Sequence, residues 1–366
     1  MKVPFIDLER QHKPIKNDLM QAFERVLDSN KFILSDEVRK FEEEIASYAK
    51  TKHAIGVSNC TNALLLSLRA LGIGPGDEVI TTPFTFVATA EVIALVGAKP
   101  VFCDIDRKTF NIDAGSIKEC VSARTRAIMP VHLYGQAADM TRIMRVAQDH
   151  RLKVIEDMAQ AIGAKYNGQM VGNFGDTACI SFYVTKNLNA LGDAGMILTN
   201  DGNLATKIRA YRVHGASKKY HHDFLGHNDR LDAMQAAFLR IKLKYLDNWN
   251  AQRRRIAKKY DDALRDVVAT PFIREDNESV YHQYTIRAAR RDELAKYLNE
   301  KGIATAIHYP VPLHVQPAFK YLGYKVGDFP IAEKAAAEVL SLPIQQDLTD
   351  TEVEYVIKCV REFYNN

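Results

Sequence analysis

Between residues 53 and 199 the chain repeats one pattern: a short apolar run, a turn of small or polar residues, then a stretch with apolar positions at helical spacing. The apolar runs fall at residues 53–57, 77–82, 99–103, 127–131, 153–156, 178–182 and 195–199. Helical spacing fills residues 62–71, 88–96 and 140–150 between them. Runs this short and this uniformly apolar are strands covered on both sides. Alternation with helices predicts βαβ units, and so an α/β fold with a mostly parallel central sheet flanked by helices. Ligands on such sheets sit at the carboxyl ends of the strands. The loops leaving those ends are therefore where chemistry is expected.

A chain of 366 residues exceeds one typical core, which predicts a large domain and a smaller one. Two amphipathic helices, at 19–26 and 38–48, precede the repeating pattern. A helical stretch at 230–248, continued at 251–267, follows it. This places the boundary between a large ligand-binding domain, 1–245, and a small C-terminal α+β domain, 246–366. In the latter, strands are expected at 280–286 and 305–307, and helices at 291–301, 331–339 and 350–363.

Composition narrows the function classes. Forty-nine basic residues against 45 acidic ones leave a charge of only +4, which does not suggest nucleic-acid binding. The five cysteines are scattered and form no CxxC pair, so neither a disulfide framework nor a structural metal site is expected. The N-terminal residues have no apolar stretch of a secretory leader, and no apolar run is long enough to span a membrane. These features predict a cytoplasmic protein without membrane partners.

Three strand-end loops stand out. Glu156-Asp157-Met158-Ala159-Gln160 puts an acid at the tip of a buried strand. Ser181-Phe182-Tyr183-Val184-Thr185-Lys186-Asn187 leads into a loop with Gly192 and Gly195. Val57-Ser58-Asn59-Cys60-Thr61-Asn62 turns from a strand into a helix through small polar groups. Each alone has a plain reading, as a surface acid or helix cap, a solvated lysine, and an N-cap. Together they match one need. A cofactor with a phosphate, a pyridine ring and an aldehyde requires a helix N-terminus with hydroxyls, a carboxylate for the ring nitrogen, and an amine. The turn at residues 60–62 with Ser181, Asp157, and Lys186 would supply them. The cofactor so implied is pyridoxal 5'-phosphate.

At these residues the chain resembles the DegT/DnrJ/EryC1/StrS group of sugar aminotransferases, which have the aspartate-aminotransferase (type I) fold. The resemblance covers essentially the whole chain. It runs through Val3-Pro4-Phe5-Ile6-Asp7-Leu8, Gly74-Pro75-Gly76-Asp77-Glu78-Val79-Ile80 and Val131-His132-Leu133-Tyr134-Gly135-Gln136. It continues through Glu156 to Ala161, Ser181 to Lys186, His308-Tyr309 and Pro312-Leu313-His314.

The resemblance implies that Lys186 is the Schiff-base lysine and proton shuttle, and that Asp157 partners the pyridine nitrogen. Gln160 would sit beside the ring hydroxyl, with Ala159 and Phe86 on the two ring faces. Thr61 and Ser181 match phosphate ligands, and a backbone amide at Cys60 could serve the phosphate too. Asn228 matches an asparagine that reaches the phosphate of the other subunit, which would make a homodimer obligatory. The chain departs from the family in three places. Cys60 stands where glycine is usual, and would be strained if that position required a positive φ. Ala194-Gly195 replaces Gly-Gly, and Val184 replaces proline.

The stretch 214–222, with Gly226, Asn228 and Arg230-Leu231-Asp232, resembles the branch that aminates C3 of dTDP-linked 3-oxo-6-deoxyhexoses with L-glutamate as donor. UDP-linked 3-keto sugars and 4-keto sugars are the alternatives. Lys218, Lys219 and Tyr220 would meet the nucleotide pyrophosphate. Tyr183, His308, Tyr309 and His314 would meet the sugar. A cofactor-retaining regulatory or partner protein is the non-enzymatic alternative. A dehydratase of the same group would carry histidine in place of Lys186, and a dehydrogenase would show a GxGxxG turn that is absent.

Overall fold

The computed structural model describes residues 1–365. Helices α1 (Leu8–His12), α2 (Lys16–Ser29) and α3 (Asp36–Ala49) open the chain. Then come β1 (His53–Val57), α4 (Cys60–Ala70), β2 (Glu78–Thr81), α5 (Ala88–Leu95), β3 (Lys99–Phe102), β4 (Thr125–Ile128), α6 (Met140–His150) and β5 (Lys153–Asp157). Two short strands, β6 (Lys165–Tyr166) and β7 (Gln169–Met170), precede β8 (Thr177–Ser181) and β9 (Gly195–Thr199). Seven of these strands form one sheet in the order β1-β9-β8-β5-β4-β2-β3. Pairing is parallel from β8 to β3, while β9 runs antiparallel to both of its neighbours.

The predicted α/β fold with a mostly parallel sheet is what forms. Strands β2, β8 and β9, none of them at a sheet edge, are buried along their whole length, which is why their middles read as apolar runs. Two apolar clusters cover the sheet. One joins it to α2, α3, α6 and a later helix at Ala233–Leu243, and the other to α4, α5 and a later helix at Gly202–Tyr211.

After β9 come α7 (Gly202–Tyr211), the hairpin β10 (Ala216–Lys218) and β11 (His221–His222), then α8 (Ala233–Leu243) and α9 (Leu246–Leu264). The helical stretch expected across 230–248 is broken at Lys244 and Tyr245. The C-terminal part holds β12 (Asn277–Glu278), β13 (Tyr284–Arg287), α10 (Arg291–Glu300), α11 (Pro330–Glu338), β14 (Val339–Leu342) and α12 (Asp350–Asn365). The strand expected at 305–307 does not form, and only Ala306 bridges to Ser341. Residues 256–363 contribute a third apolar cluster, which Val3 from the N-terminus joins.

Candidate active site

Glu156 and Asp157 end β5 and point to opposite sides of the sheet, as successive strand residues must. Glu156 is fully buried and saturated. Its carboxylate contacts His132 Nε2 at 3.0 Å and accepts from the amides of Gly172, Phe174 and Gly175. Burial raises its pKa, but His132 and those amides outweigh this and hold it below the usual range.

Asp157 faces a cavity of about 700 Å³. Its Oδ2 accepts from Thr89 Oγ1 at 2.8 Å and its Oδ1 from the Ala159 amide at 3.1 Å. Here burial wins, and the carboxyl is pushed above its ordinary value despite those bonds and the nearby Lys186. Asp157 is thus a buried acid short of positive charge.

Three more elements bring groups to the same cavity. The end of β8 brings Ser181, and the loop between β8 and β9 brings Tyr183 and Lys186. Burial lowers the Lys186 amine below its usual range, which favours the neutral, nucleophilic form. Helix α4 points its N-terminus at the cavity through Cys60 and Thr61, with Asn59 capping the Asn62 amide at 2.8 Å. First-turn amides have no intrahelical acceptor and form an anion site.

Cys60 is not strained. It takes the first helical position, and no positive φ occurs there. The glycine requirement falls instead on Gly195, where a Cβ would lie 2.4 Å from Asn59 C and 2.5 Å from Asn59 O. Burial, with Asp157 nearby, raises the Cys60 thiol well above its usual value and makes it inert.

Gln160 is fixed at both ends. Its Oε1 accepts from the Tyr134 amide at 2.7 Å and its Nε2 donates to Tyr309 Oη at 3.1 Å, which leaves one amide hydrogen free. Phe86 and Ala159 line the cavity as well, and Phe86 lies 6.3 Å from the Tyr309 ring. His308 and Tyr309 close the far wall. Burial, aided by Lys186, lowers His308 to about 4, so its ring is neutral at physiological pH.

Five sequence candidates lie elsewhere. His314 is 1% exposed, bonded to Glu333 at 3.0 Å and packed edge-on against Phe329, so its ring is spent on the core and does not reach the cavity. Lys218, Lys219 and Tyr220 sit on the exposed β10–β11 hairpin, and Tyr220 is 83% exposed. Asn228 is exposed and bridges Val213.

The cavity also contains groups that sequence reasoning passed over. Thr89 lies one helical turn beyond Phe86, a spacing that could have flagged it. His282 and Gln283 come from a distant segment. They reach the cavity because Gly135, at φ +99, lets the backbone of Tyr281 and His282 approach to where a Cβ would meet it at 2.9 Å.

Residues 13–361 match the DegT/DnrJ/EryC1/StrS aminotransferase family. The chain belongs to that family. Its relatives cover it almost end to end. A "Pleiotropic regulatory protein" of Geobacillus stearothermophilus is 53% identical over 100% of both chains. The "dTDP-3-amino-3,6-dideoxy-alpha-D-galactopyranose transaminase" of Aneurinibacillus thermoaerophilus is 45% identical over 99% of both. The "UDP-N-acetyl-3-dehydro-alpha-D-glucosamine 3-aminotranferase" of Acidithiobacillus ferrooxidans is 44% identical, over 98% of this chain and 97% of that one. The crystal structure of S. venezuelae DesV in complex with a ketimine intermediate superposes with a TM-score of 0.98, at 42% identity, over 100% of this chain and 99% of that one.

This sugar aminotransferase therefore uses pyridoxal 5'-phosphate. Its residues fit that group. A buried carboxylate short of positive charge suits a cationic ring nitrogen, the α4 N-terminus suits a phosphate, and the Lys186 amine suits an aldehyde. Among the described residues no helix is long and apolar enough to cross a membrane.

Proposed function

We propose that this enzyme transfers the amino group of L-glutamate to C3 of a dTDP-linked 3-oxo-6-deoxyhexose, giving a dTDP-3-amino-3,6-dideoxyhexose. The observation that carries the reading is one cavity holding Lys186, Asp157 and Gln160 below the sugar-sized space walled by Tyr183, His308 and Tyr309. The Acidithiobacillus and Aneurinibacillus relatives both carry position 3 of the sugar in their names. A UDP-linked 3-keto sugar is the second reading, favoured by the Acidithiobacillus relative. A regulatory role is the third, favoured by the name of the Geobacillus relative.

In this reading Lys186 would hold the cofactor through its aldehyde and Asp157 would keep the ring nitrogen protonated. Gln160 lends its free amide hydrogen to the ring hydroxyl, and Ala159 and Phe86 flank the ring. The amides of Cys60 and Thr61, with the hydroxyls of Thr61 and Ser181, take the phosphate. When bound, the cofactor supplies an electron sink for the carbon that exchanges its amino group. Lys186 Nζ would also hold and move the proton at the substrate carbon. Donor and acceptor use one cavity in turn, so ping-pong kinetics follow.

Asn228 and the 216–222 hairpin act in a homodimer, Asn228 at the partner's phosphate and Lys218, Lys219 and Tyr220 at the nucleotide pyrophosphate. An unpartnered apolar stripe supports the dimer. Met20, Phe23 and Leu27 lie on the outer face of α2, and Phe32, Ile33 and Leu34 follow it, all at least 38% exposed. Ile33 bridges Asp232, four residues from Asn228. We take 1–245 as the cofactor domain and 246–366 as the small domain.

The test has two arms. Borohydride reduction followed by peptide mass mapping is expected to fix the cofactor on Lys186, and any other site overturns the assignment. L-Glutamate is then offered with dTDP-3-keto-6-deoxyglucose, its galactose epimer, a UDP-linked 3-keto sugar and a UDP-4-keto sugar. Turnover of the last alone removes the C3 reading. Retention of the host phenotype by Lys186→Ala favours the regulatory one.

A further inference from the structure

Beneath the lysine loop lies a basic group that the reaction does not use. Lys242, on α8, is 0% exposed. Its Nζ lies 2.9 Å from each of three atoms: Asn189 O, Asn189 Oδ1 and His12 Nε2. An ammonium has three hydrogens, and this geometry offers each an acceptor. Among the described residues no carboxylate pairs with it, and burial alone lowers its pKa, to about 7. Burial, reinforced by Lys242, lowers His12 to about 4, which leaves its ring neutral and able to accept. A lysine buried without a counter-ion costs stability. Its place in the fold calls for a gain elsewhere.

That gain lies in Asn189. Its side-chain amide donates to Val184 O at 2.7 Å and to Gln11 Oε1 at 2.9 Å. Val184 stands two residues before Lys186 and Asn189 three after, so one side chain cinches the loop on both sides of the reactive amine. Lys242 holds both oxygens of that asparagine. Gln11 and His12 belong to α1, which is tied in turn to the C-terminal part. The Asp7 amide donates to Gln345 Oε1, and Arg10 grips Glu352 at 2.8 and 2.9 Å.

We propose that Lys242 is a positioning residue for Lys186: it sets the 184–189 loop through Asn189 and joins that loop to helix α1. The proposal rests on Lys186 being the reactive amine. Lys242 touches neither cofactor nor substrate, so its loss acts on the geometry of transfer and not on binding.

The experiment compares holoenzymes carrying Lys242→Met, Asn189→Ala and both. Each single change is expected to lower kcat about tenfold or more, as a displaced catalytic group does. KM for the sugar and for L-glutamate should stay within about twofold. The double variant should be no slower than the worse single one, because both changes cut one network. The melting temperature of Lys242→Met should hold or rise, since a buried charge is gone. An unchanged kcat, or single losses that multiply in the double variant, overturns the proposal. If Lys242→Met does not fold, Asn189→Ala decides: full kcat in that variant overturns it equally. Borohydride mapping of the wild type separates the two claims, because a label away from Lys186 sinks the lysine assignment whatever Lys242 does.

Discussion

The floor of the cavity and the outlying β10–β11 hairpin, an exposed rim of the molecule, are built on opposite plans. Asp157 and Gln160 on the floor, and Asn187 and Asn189 behind it, each make two or more hydrogen bonds to the chain itself. On the rim, Lys218 and Lys219 are exposed and Tyr220 projects into solvent, with Lys219 Nζ 5.2 Å from its ring centroid. The floor is finished within one chain. The rim is unfinished, which is the expected state of a surface that a ligand or a second subunit completes. Chemistry should therefore be sensitive to floor changes in kcat, and recognition to rim changes in KM.

The largest effect should come from Asp157→Asn, which keeps the shape of the floor and removes its charge. A loss of about 10³ in kcat is expected, with KM for the sugar nearly unchanged, measured in steady state. A loss below about tenfold would mean that the floor does not work through this carboxylate. Next, Gly195→Ala should force the new Cβ against Asn59 and destabilise the protein by about 3 kcal/mol, read by denaturant unfolding. A neutral result would show that the α4 N-terminus is free to move, and the contrast between rigid floor and open rim would weaken.

A pH series sharpens the comparison. Folded His308 takes up a proton only near pH 4, whereas an unfolded histidine does so near 6.5. Between these values the unfolded chain holds the extra proton. Stability present above pH 6.5 is thus lost as pH falls toward 4, by at most about 1.4 kcal/mol per pH unit. His308→Gln should flatten that slope in thermal unfolding measured at stepwise lower pH. The smallest effect is expected from Lys218→Ala with Lys219→Ala. KM for the nucleotide sugar should rise about five- to tenfold and kcat should hold, with the difference shrinking as salt is added. A fall in kcat instead would bring the rim into the chemistry.

The floor was largely legible in the sequence because its key groups are local. Asp157, Ala159 and Gln160 share one strand end, and Ser181, Tyr183 and Lys186 another. Thr89, His282 and Gln283 were not legible in the same way, because topology carries them in from other elements. His314 misleads for the converse reason: it follows Pro312-Leu313 in a recognisable motif, but its ring is buried against Phe329 and Glu333. In the fold, the buried strands of the large sheet announce themselves as apolar runs. Strand β14 does not. Its first residue, Val339, reads as the end of the apolar pattern of α11, and only pairing with β13 makes it a strand. Cys60 teaches the same lesson at one residue. The demand for a missing side chain is real, but the neighbouring strand meets it at Gly195.

The reversed direction of β9 has a mechanical consequence. Because β9 returns directly beside β8, with Ser181 opposite Gly195, the segment bearing Lys186 is a hairpin loop whose two stems are hydrogen-bonded in register. Gly195 also pairs with Val57, the strand end that feeds α4. Amine and anion cradle are thus hinged on a single glycine, and a slip of β9 by one residue would carry both out of alignment at once.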